Sequence, residues 1–486
     1  MAVVRSSAET PRRIRMRSQR SVRSKVMGAE QAALTLVRDP LRLILFVLTI
    51  VTISRVHLHY PILAKLRPVL LLTVGAFGYA YLNPRYLTTA NVLKLWPMRL
   101  VAILGVLACC SAAFGISLGN SALFILDSFS KTLVYAFLLA IGVRHARDLY
   151  TLVWAFAISC GILVLFSVFV FDLSAAGQTT RLAEMYTYDS NDLGVILMIG
   201  LPLTLLLVTV DHGAKRLILL VTVVGIAIAM ARSGSRGGFL GLIAVSLAAL
   251  FLVNGVSATR RFSLLVAALL ALGVAAPAGY WKQMATILSP KEDYNYSTID
   301  GRGALMKRGM GYMAKYPVFG IGVWNFAKAE CTISPKMESR PVNEPVRCIA
   351  PHNSFVQAGA ETGIPGLVVF ASLIIGCIAA PIRLRRRLPR YWRKGTPTQR
   401  FLYNATSFFP IAMIGFAVTA FFVSFAFFDP LYLLSAFVTG LYIAVSAQLK
   451  AEGRPEIGAL STSPGRHAGW RVKRGAVGSL ARSAAR

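Results

Sequence analysis

The sequence predicts an all-α polytopic membrane protein with about twelve transmembrane helices and one large outward loop that contains short helices. Of its residues, 56% are hydrophobic and only 15% are charged, whereas soluble domains carry roughly 25% charged residues. Apolar runs of about 20 residues, the length that crosses a bilayer as a helix, recur along the chain. Basic residues cluster in alternate connections between these runs, as in loops on the cytoplasmic side.

The apolar runs divide the chain into five regions. These are a basic tail at 1–40, helices one to nine within 41–280, a polar loop at 281–353, helices ten to twelve within 354–449, and a second basic tail at 450–486. The first tail is too long and too polar for a cleaved secretory signal, so the first run is expected to remain as an anchor. The predicted helices lie at about 41–55, 66–82, 98–117, 121–142, 149–171, 192–210, 215–232, 236–254, 262–280, 354–381, 404–428 and 431–449.

The charge distribution predicts the orientation. The chain has 52 Lys and Arg against 20 Asp and Glu, a formal net charge of +32. In a soluble protein this excess would indicate nucleic acid, but cytoplasmic loops of membrane proteins concentrate basic residues, so no nucleic-acid partner is expected. An even number of crossings places both basic tails on the same side of the inner (cytoplasmic) membrane, and their basic residues indicate the cytoplasm. The polar loop at 281–353 is then expected in the periplasm or cell exterior. The tails can also contact anionic membrane lipids.

Two of the six cysteines, Cys331 and Cys348, lie in the outward loop. An oxidising compartment favours a disulfide between them, and the alternative is two unpaired thiols. The other four cysteines lie in apolar runs and are expected to pack as small core residues. No cysteine or histidine spacing indicates a metal site.

The short turn at 231–238, ARSGSRGG, carries Arg232 and Arg236 on the outward side. A turn rich in Gly and Ser exposes backbone N–H groups, and the helix that follows adds its N-terminal dipole. With a guanidinium, this combination suits a phosphate or diphosphate. The alternative is a topological arginine at a helix end, which the positive-inside bias disfavours on this side.

Residues 300–317 of the outward loop predict an amphipathic helix on the outer leaflet that ends at Pro317. Leu305 and three methionines recur near helical spacing, with basic residues between them. Arg302 lies at the helix start between two glycines, so it is favoured for function over its neighbours. The alternative is a helix that only packs on the bundle.

The segment 350–370, APHNSFVQAGAETGIPGLVVF, joins the polar loop to a long apolar run. His352 stands at the junction, and Asn353 or Ser354 can cap the helix that follows. A histidine has an ordinary pKa near neutrality, which suits a general base. Taken alone, a single histidine at a helix cap is more often structural.

Three weaker candidates lie elsewhere. Glu361 follows about two turns into the same helix, where an ionisable group needs a partner, and the Gly and Pro residues at 363–366 are expected to break that helix. Asp127 and Lys131 are spaced as a structural ion pair within the fourth helix. The outward loop before helix six offers acids, amides and tyrosines that suit sugar hydroxyls or any membrane surface, namely Arg181, Glu184, Tyr186, Tyr188, Asp189, Asn191 and Asp192.

Three segments resemble the O-antigen ligase and O-antigen polymerase superfamily in sequence, order and spacing. They are ARSGSRGG, DGRGALMKRGMGYMAKYPVFGIGVWNF and PHNSFVQAGAETGIPGLVVF, and the resemblance is specific from about 190 to 380. Asp189 and Asn191 resemble a D-x-N-D element that recurs in the family before helix six, with no role assigned.

The resemblance implies a metal-independent, inverting glycosyltransferase of the GT-C type that needs no cofactor. Such an enzyme moves a glycan from an undecaprenyl-diphosphate-linked donor to a lipid or glycan acceptor on the periplasmic face, in lipopolysaccharide or exopolysaccharide synthesis. By this resemblance, Arg236 and Arg302 bind the diphosphate, and Arg232 is a less certain match. His352 deprotonates the acceptor hydroxyl.

Two other functions remain open at this point: a transporter or flippase for lipid-linked glycans, and a non-catalytic membrane scaffold. The single outward loop has no counterpart in the first half of the chain, which disfavours the paired repeats of many transporters. Few acidic groups lie within the helices, whereas a transporter needs charged relays near the bilayer midplane. Both observations favour the transferase.

Overall fold

The computed structural model describes residues 39–84, 86, 92–176, 179–182, 184–253, 279–289, 299–337 and 347–454, with the isolated positions 259, 266, 273 and 276. Most of the two predicted tails and of the ninth predicted helix, 262–280, lie outside the described residues. The described chain is almost entirely helical.

The first half of the described chain forms seven helices and a hairpin. The helices are α1 (Pro40–Ser54), α2 (Pro61–Lys65), α3 (Pro68–Leu82), α4 (Trp96–Phe114), α5 (Leu118–Phe124), α6 (Ser130–Gly142) and α7 (Ala146–Phe169). A π-helical turn, Ile125–Phe129, joins α5 to α6. Strands β1 (Leu173–Ala176) and β2 (Thr179–Leu182) then form an antiparallel hairpin in which Leu173 pairs with Leu182.

The second half adds long helices around a segment of short ones. They are α8 (Ser190–Val208), α9 (Gly213–Ser233), α10 (Arg236–Leu252), α11 (Tyr280–Ala285), α12 (Arg302–Lys315), α13 (Phe326–Thr332), α14 (Ser354–Arg387), α15 (Pro397–Thr419) and α16 (Asp429–Ala451). Short 3-10 turns lie at Val56–His59, Val92–Lys94, Pro335–Met337, Arg390–Lys394 and Ala420–Phe422.

Eight helical segments in the described part of the chain are long and apolar enough to cross a membrane. They are α4, the continuous α5–α6 segment, α7, α8, α9, α14, α15 with its 3-10 extension, and α16, while α1, α3 and α10 are apolar but shorter. These eleven segments overlap eleven of the predicted apolar runs. The protein is therefore a multi-pass α-helical membrane protein, as its composition predicts.

The centre of the bundle is formed by α8, α15 and α16. Helix α15 packs against α8, α10 and α14, and α16 packs against α6. The side chains on α16 from Leu431 to Val438 are all buried. By contrast, α9 exposes Leu217, Val221 and Val224, an apolar face that matches lipid rather than water.

One end of the bundle, here called the tail end, joins the connections 142–146, 209–213, 252 and 388–396. The Arg42 Nε atom donates to the Gly142 carbonyl oxygen at 3.1 Å. The Arg385 Nη1 atom donates to the Leu252 carbonyl oxygen at 2.6 Å. These bonds place connections that are far apart in sequence at the same end of the bundle.

The other end, here called the loop end, joins the connections 55–67, 115–117, 170–189, 234–235, 279–353 and 420–428. The Ile116 amide donates to the Ile321 carbonyl oxygen at 2.9 Å, and the Gly322 amide donates to the Glu361 carbonyl oxygen at 3.1 Å. A Cβ at Gly115 would lie 2.4 Å from the Gly322 Cα atom. The glycines therefore allow the large loop to pass closely between α4 and α14.

Helix α14 breaks at Gly363, where φ is +73°. The Ile364 amide just beyond the break donates to the Pro317 carbonyl oxygen at 2.8 Å. A Cβ at position 363 would lie 2.4 Å from the Val318 carbonyl oxygen. The break predicted at 363–366 is therefore also the point where the large loop is attached to α14.

Candidate functional site

His352 lies at the loop end, immediately before the cap of α14. Its φ is +47°, a left-handed conformation that histidine adopts more readily than most residues but still infrequently. Its amide donates to the Ser424 Oγ atom at 3.0 Å. Strained backbone of this kind persists where surrounding contacts hold it, and it clusters at functional sites.

The residues after His352 fix the start of α14. The Asn353 Oδ1 atom accepts hydrogen bonds from the Phe355 and Val356 amides at 2.9 and 3.0 Å, which makes Asn353 the helix cap. The Ser354 Oγ atom instead donates to the Val423 carbonyl oxygen at 2.8 Å. His352 is therefore held between its own helix cap and the connection from α15 to α16.

The electrostatic neighbours of His352 are Arg302 and Asp189. Burial lowers the pKa of His352 below its ordinary value of 6.5, the Arg302 cation lowers that pKa further, and the Asp189 carboxylate acts in the opposite direction. The neutral imidazole is therefore favoured near neutral pH. Arg302 and Asp189, which are far from His352 in sequence, therefore both lie within electrostatic reach of its ring.

Arg302 begins α12, which packs closely on α14. A Cβ at Gly309 would lie 2.3 Å from the Val356 Cγ1 atom, and one at Gly359 would lie 2.2 Å from the Met313 Sδ atom. The two glycines let the helix backbones approach, and this brings the first turn of α12 beside His352. Glycine at 309 is therefore required by packing and is not merely a weak helix former.

The buried face of α12 differs from the one that the methionine spacing suggests. Leu305, Gly309 and Tyr312 are buried, whereas Met306 and Met310 are 41% and 50% exposed. The helix packs on α14 through its small and aromatic residues. Of the three methionines, Met310 faces away from this contact, whereas Met313 packs against α14 at Gly359.

A buried ion cluster that sequence reasoning missed anchors α12. The Arg308 guanidinium binds the Glu330 carboxylate through Nε and Nη2, with its shortest contact at 2.6 Å. Lys336 Nζ lies 3.2 Å from Glu330 and 2.9 Å from Asp300, and the Tyr312 hydroxyl donates to Glu330 at 2.9 Å. Glu330 is fully buried. Its partners lie 6 to 22 residues away along the chain, so no local sequence pattern predicts the cluster.

The turn at 231–238 brings two helix N-termini together. Gly234 ends α9 with φ +59°, and the Ser235 Oγ atom accepts from the Gly238 amide at 3.1 Å as the cap of α10. The same hydroxyl donates to the Asn191 Oδ1 atom at 2.8 Å. Asn191 lies in the first turn of α8, whose cap is Asp189. Helix N-termini of this kind attract anions.

Arg236 begins α10 at this junction. Its Nη1 atom donates to the Thr286 Oγ1 atom at 2.8 Å, just after α11. A Cβ at Gly237 would lie 2.7 Å from the Phe422 Cβ atom, so α10 also packs against the turn after α15. Arg236 is therefore placed at the loop end on the same capped junction as Asn191.

Residues 220–371 match the family model described as O-antigen ligase. The match covers less than a third of the chain, and it shows a likeness of this region to the O-antigen ligase family. No curated protein matches the chain. The match runs from within α9 to the first half of α14, so it includes Arg236, Arg302 and His352 but not Asp189 or Asn191.

Two further residues of the matched region, Arg232 and Glu361, are engaged in backbone contacts. Arg232 donates through Nε to the Ser167 carbonyl oxygen at 2.8 Å and through Nη2 to the Phe171 carbonyl oxygen at 3.1 Å. It thereby satisfies carbonyl groups at the C-terminus of α7, which need partners once the helix ends. This engagement favours a structural role for Arg232 over diphosphate binding.

Glu361 holds the large loop within the matched region. Its carboxylate accepts from the Trp324 amide at 2.9 Å and from the Phe326 amide at 3.1 Å, next to the start of α13. A disulfide joins Cys331 to Cys348, with their Cα atoms 5.4 Å apart. These contacts stabilise the loop that carries Arg302, and neither of them involves His352.

The side chains and helix N-termini at this junction are of the types that bind anions and transfer protons. Among the described residues, no group of three or more His, Cys, Asp or Glu side chains is arranged to hold a metal ion. The charges of Arg302 and Asp189 act on the His352 imidazole, and the Ser235–Asn191 bond joins the capped N-termini of α8 and α10, where Arg236 lies.

Proposed function

We propose that this protein is a membrane glycosyltransferase that moves a glycan from an undecaprenyl-diphosphate carrier to a hydroxyl group of a lipid or glycan acceptor. The proposal rests chiefly on one observation, the placement of a strained, partly buried His352 beside Arg302 and Asp189. The O-antigen ligase region and the multi-pass helical fold support the same class of activity.

His352 acts as the general base in this proposal. The pKa of His352 is lowered by burial and by Arg302, so its ring is neutral and able to accept a proton at neutral pH. The acceptor hydroxyl transfers its proton to the free ring nitrogen while its oxygen attacks the anomeric carbon of the glycan. Asp189 favours the imidazolium that forms.

Arg302 and Arg236 bind the diphosphate. As the new glycosidic bond forms, the bond from the anomeric carbon to the diphosphate oxygen breaks, and negative charge grows on the leaving group. Two guanidinium groups and the adjoining helix N-termini stabilise that charge. Attack opposite the leaving group inverts the anomeric configuration, and the diphosphate needs no further activation.

The loop end faces the periplasm or cell exterior in this proposal. The basic run Arg385–Arg387 lies at the tail end, and basic residues favour the cytoplasmic side. The disulfide of the large loop fits an oxidising compartment. The glycan is therefore transferred after its carrier lipid has been moved across the membrane.

The test is transfer from an undecaprenyl-diphosphate glycan by purified wild-type protein and the variants His352→Ala, Arg236→Ala and Arg302→Lys. We expect His352→Ala to lose at least about 10²-fold, the usual contribution of a general base. Arg302→Lys should also be impaired, because an ammonium cannot make a bidentate contact with phosphate. Lys307→Gln, an exposed neighbour on α12, is the matched control and should transfer normally.

Wild-type transfer by His352→Ala and Arg236→Ala would refute this mechanism. Translocation of the lipid-linked glycan by the purified protein, without any transfer, would instead support the flippase alternative. Ligase and polymerase activities are distinguished in the same assay by supplying either a lipid acceptor or a second carrier-linked glycan.

A further inference from the structure

A cavity of about 180 Å³ lies at the loop end between α1, α3, the α5–α6 segment and the start of α16. None of His352, Arg236 and Arg302 lines it. Its volume is about ten times the ~10–15 Å³ that one water needs and lies below the ~300–1,000 Å³ of pockets for drug-sized ligands. The cavity therefore suits one ring-sized group.

The charged residues of the cavity are Arg55, Lys131 and Asp429. Asp429 already accepts a hydrogen bond from the Thr132 hydroxyl at 2.6 Å. Lys131 Nζ lies 3.2 Å from Asp127, whose side chain is 76% exposed outside the lining. Two cations face one carboxylate in the wall, and an exposed ion pair such as that of Lys131 with Asp127 is weak. A carboxylate or phosphate in the cavity can therefore compete for Lys131.

The cavity also contains a hydroxyl group with no partner. Thr52 is 8% exposed, and its Oγ1 atom makes no hydrogen bond within the described part of the chain. Thr73, across the cavity, instead donates to the Val69 carbonyl oxygen at 2.7 Å. A buried polar atom without a partner is unfavourable unless a ligand or water satisfies it, so Thr52 marks a place for a hydrogen-bonding ligand.

Aromatic rings and an irregular turn complete the wall. Phe124, Phe427 and Phe428 line the cavity, and they offer apolar surface to the C–H groups of a sugar ring. The π-helical turn Ile125–Phe129 begins directly after Phe124. Such turns occur mostly as single interruptions of α-helices, frequently at functional sites. Apolar rings with a few polar groups are the usual lining of a small-molecule site.

The cavity adjoins the proposed reaction centre through two contacts. The Arg55 guanidinium carbon lies 3.8 Å from the centre of the Tyr188 ring, and Tyr188 immediately precedes Asp189, the neighbour of His352. Phe124 stacks on Trp324 of the large loop with ring centres 4.4 Å apart. A group bound in the cavity therefore lies beside the place where glycan is transferred.

We propose that this cavity binds one sugar residue that carries a carboxylate or phosphate group, within the acceptor glycan or the transferred glycan. The inference rests on the proposed transferase function. Lys131 and Arg55 bind the anionic group, the Thr52 hydroxyl bonds a sugar oxygen, and the ring packs on Phe124 and Phe428.

Saturation-transfer NMR on the purified protein in micelles tests the proposal, with D-glucuronate, glucose 6-phosphate, glucose and inorganic phosphate as probes. We expect the two anionic sugars to bind about tenfold more tightly than glucose or phosphate alone. Lys131→Met should weaken glucuronate binding about tenfold and Thr52→Val a few-fold, in line with one charge-assisted and one neutral hydrogen bond. Lys65→Met and Thr222→Val, at positions outside the cavity, should leave binding unchanged.

Equal binding of glucose and glucuronate, or unchanged binding in both cavity variants, would overturn the proposal. Binding of inorganic phosphate as tight as that of glucose 6-phosphate would show a plain anion site, which is the behaviour expected for a lipid headgroup. Thr52→Val preserves side-chain volume, so it keeps the test valid if Lys131→Met fails to fold.

The transfer assay identifies which glycan supplies the sugar. If glucuronate competes only with the acceptor, the bound sugar belongs to the acceptor. If glucuronate competes only with the donor, the bound sugar belongs to the transferred glycan. Binding is also measured in His352→Ala, which does not alter the cavity. If His352→Ala transfers glycan normally and still binds the anionic sugars, only the transferase mechanism is refuted. If transfer requires His352 but the protein does not bind the anionic sugars, only the cavity proposal is refuted.

Discussion

The ion cluster around Glu330 allows a quantitative test of what holds the large loop in place. Glu330→Gln keeps the side-chain volume but removes the charge that binds Arg308 and Lys336. Lys336 retains Asp300 at 2.9 Å, so Arg308, 12% exposed, is the cation left without a carboxylate. Breaking a buried ion pair from one side costs about 3–5 kcal/mol, and the retained Asp300 contact favours the lower end of that range.

Hydrogen exchange measured by mass spectrometry reports this cost locally. A loss of about 3 kcal/mol corresponds to roughly a 10²-fold increase in the opening constant, at about 1.4 kcal/mol per factor of ten. We expect this increase in peptides from α12 and α13, with α15 and α16 unchanged. The matched control is Asp127→Asn, which removes an exposed ion pair worth about 0–1 kcal/mol and should alter exchange less than about fivefold.

The paired variant Arg308→Gln/Glu330→Gln provides the decisive comparison. Removing both charges leaves no uncompensated Arg308 cation, so protection of α12 should recover in large part. Exchange in Glu330→Gln within about threefold of wild type would refute the reasoning. The same holds if the paired variant exchanges faster than either single variant, because the penalty would then not come from an unpaired charge.

Three further predictions address the site. Arg302→Gln should raise the pKa of His352 towards 6.5, because the arginine cation disfavours the imidazolium; an NMR titration of the ring protons measures this, and an unchanged pKa would place Arg302 beyond electrostatic reach. Asn191→Ala should lower stability by about 1 kcal/mol and slow transfer, because it releases the cap of α10; transfer at the wild-type rate would count against that coupling. Gly363→Ala should destabilise the fold by at least ~1–2 kcal/mol. Gly311→Ala on α12, with open space around it, should stabilise the fold by about 0.5–1 kcal/mol. Melting temperatures equal to that of the wild type in both variants would contradict both expectations.

Much of the site was predictable because its residues stand beside local signals. The Gly and Ser residues around Arg236 predict a tight turn before a helix, and α10 begins at Arg236 with Ser235 as its cap. Asn353 carries a capping signal and caps α14. Such features depend on neighbouring residues, so periodicity and turn chemistry reveal them.

The contacts between distant segments were not predictable in this way. The bond from Ser235 to Asn191 spans 44 residues, and the contact from Arg308 to Glu330 spans 22. Arg232 shares the turn with Arg236 and resembles it in sequence, yet it binds carbonyl groups at the end of α7. Which of two neighbouring arginines faces the site is decided by the helices that surround them.

The sequence by itself determined that this is a multi-pass helical membrane protein and where its helices lie, since apolar runs and basic clusters reflect transfer between water and lipid. It also singled out His352, Arg236 and Arg302. Only the tertiary structure decided that His352 lies beside Arg302 and Asp189, that Glu361 holds the loop, and that a polar cavity adjoins the site. Those arrangements depend on close contact between α12 and α14 at Gly309 and Gly359, and between the end of α4 and the large loop at Gly115. Contact of that kind leaves no periodic pattern in the sequence.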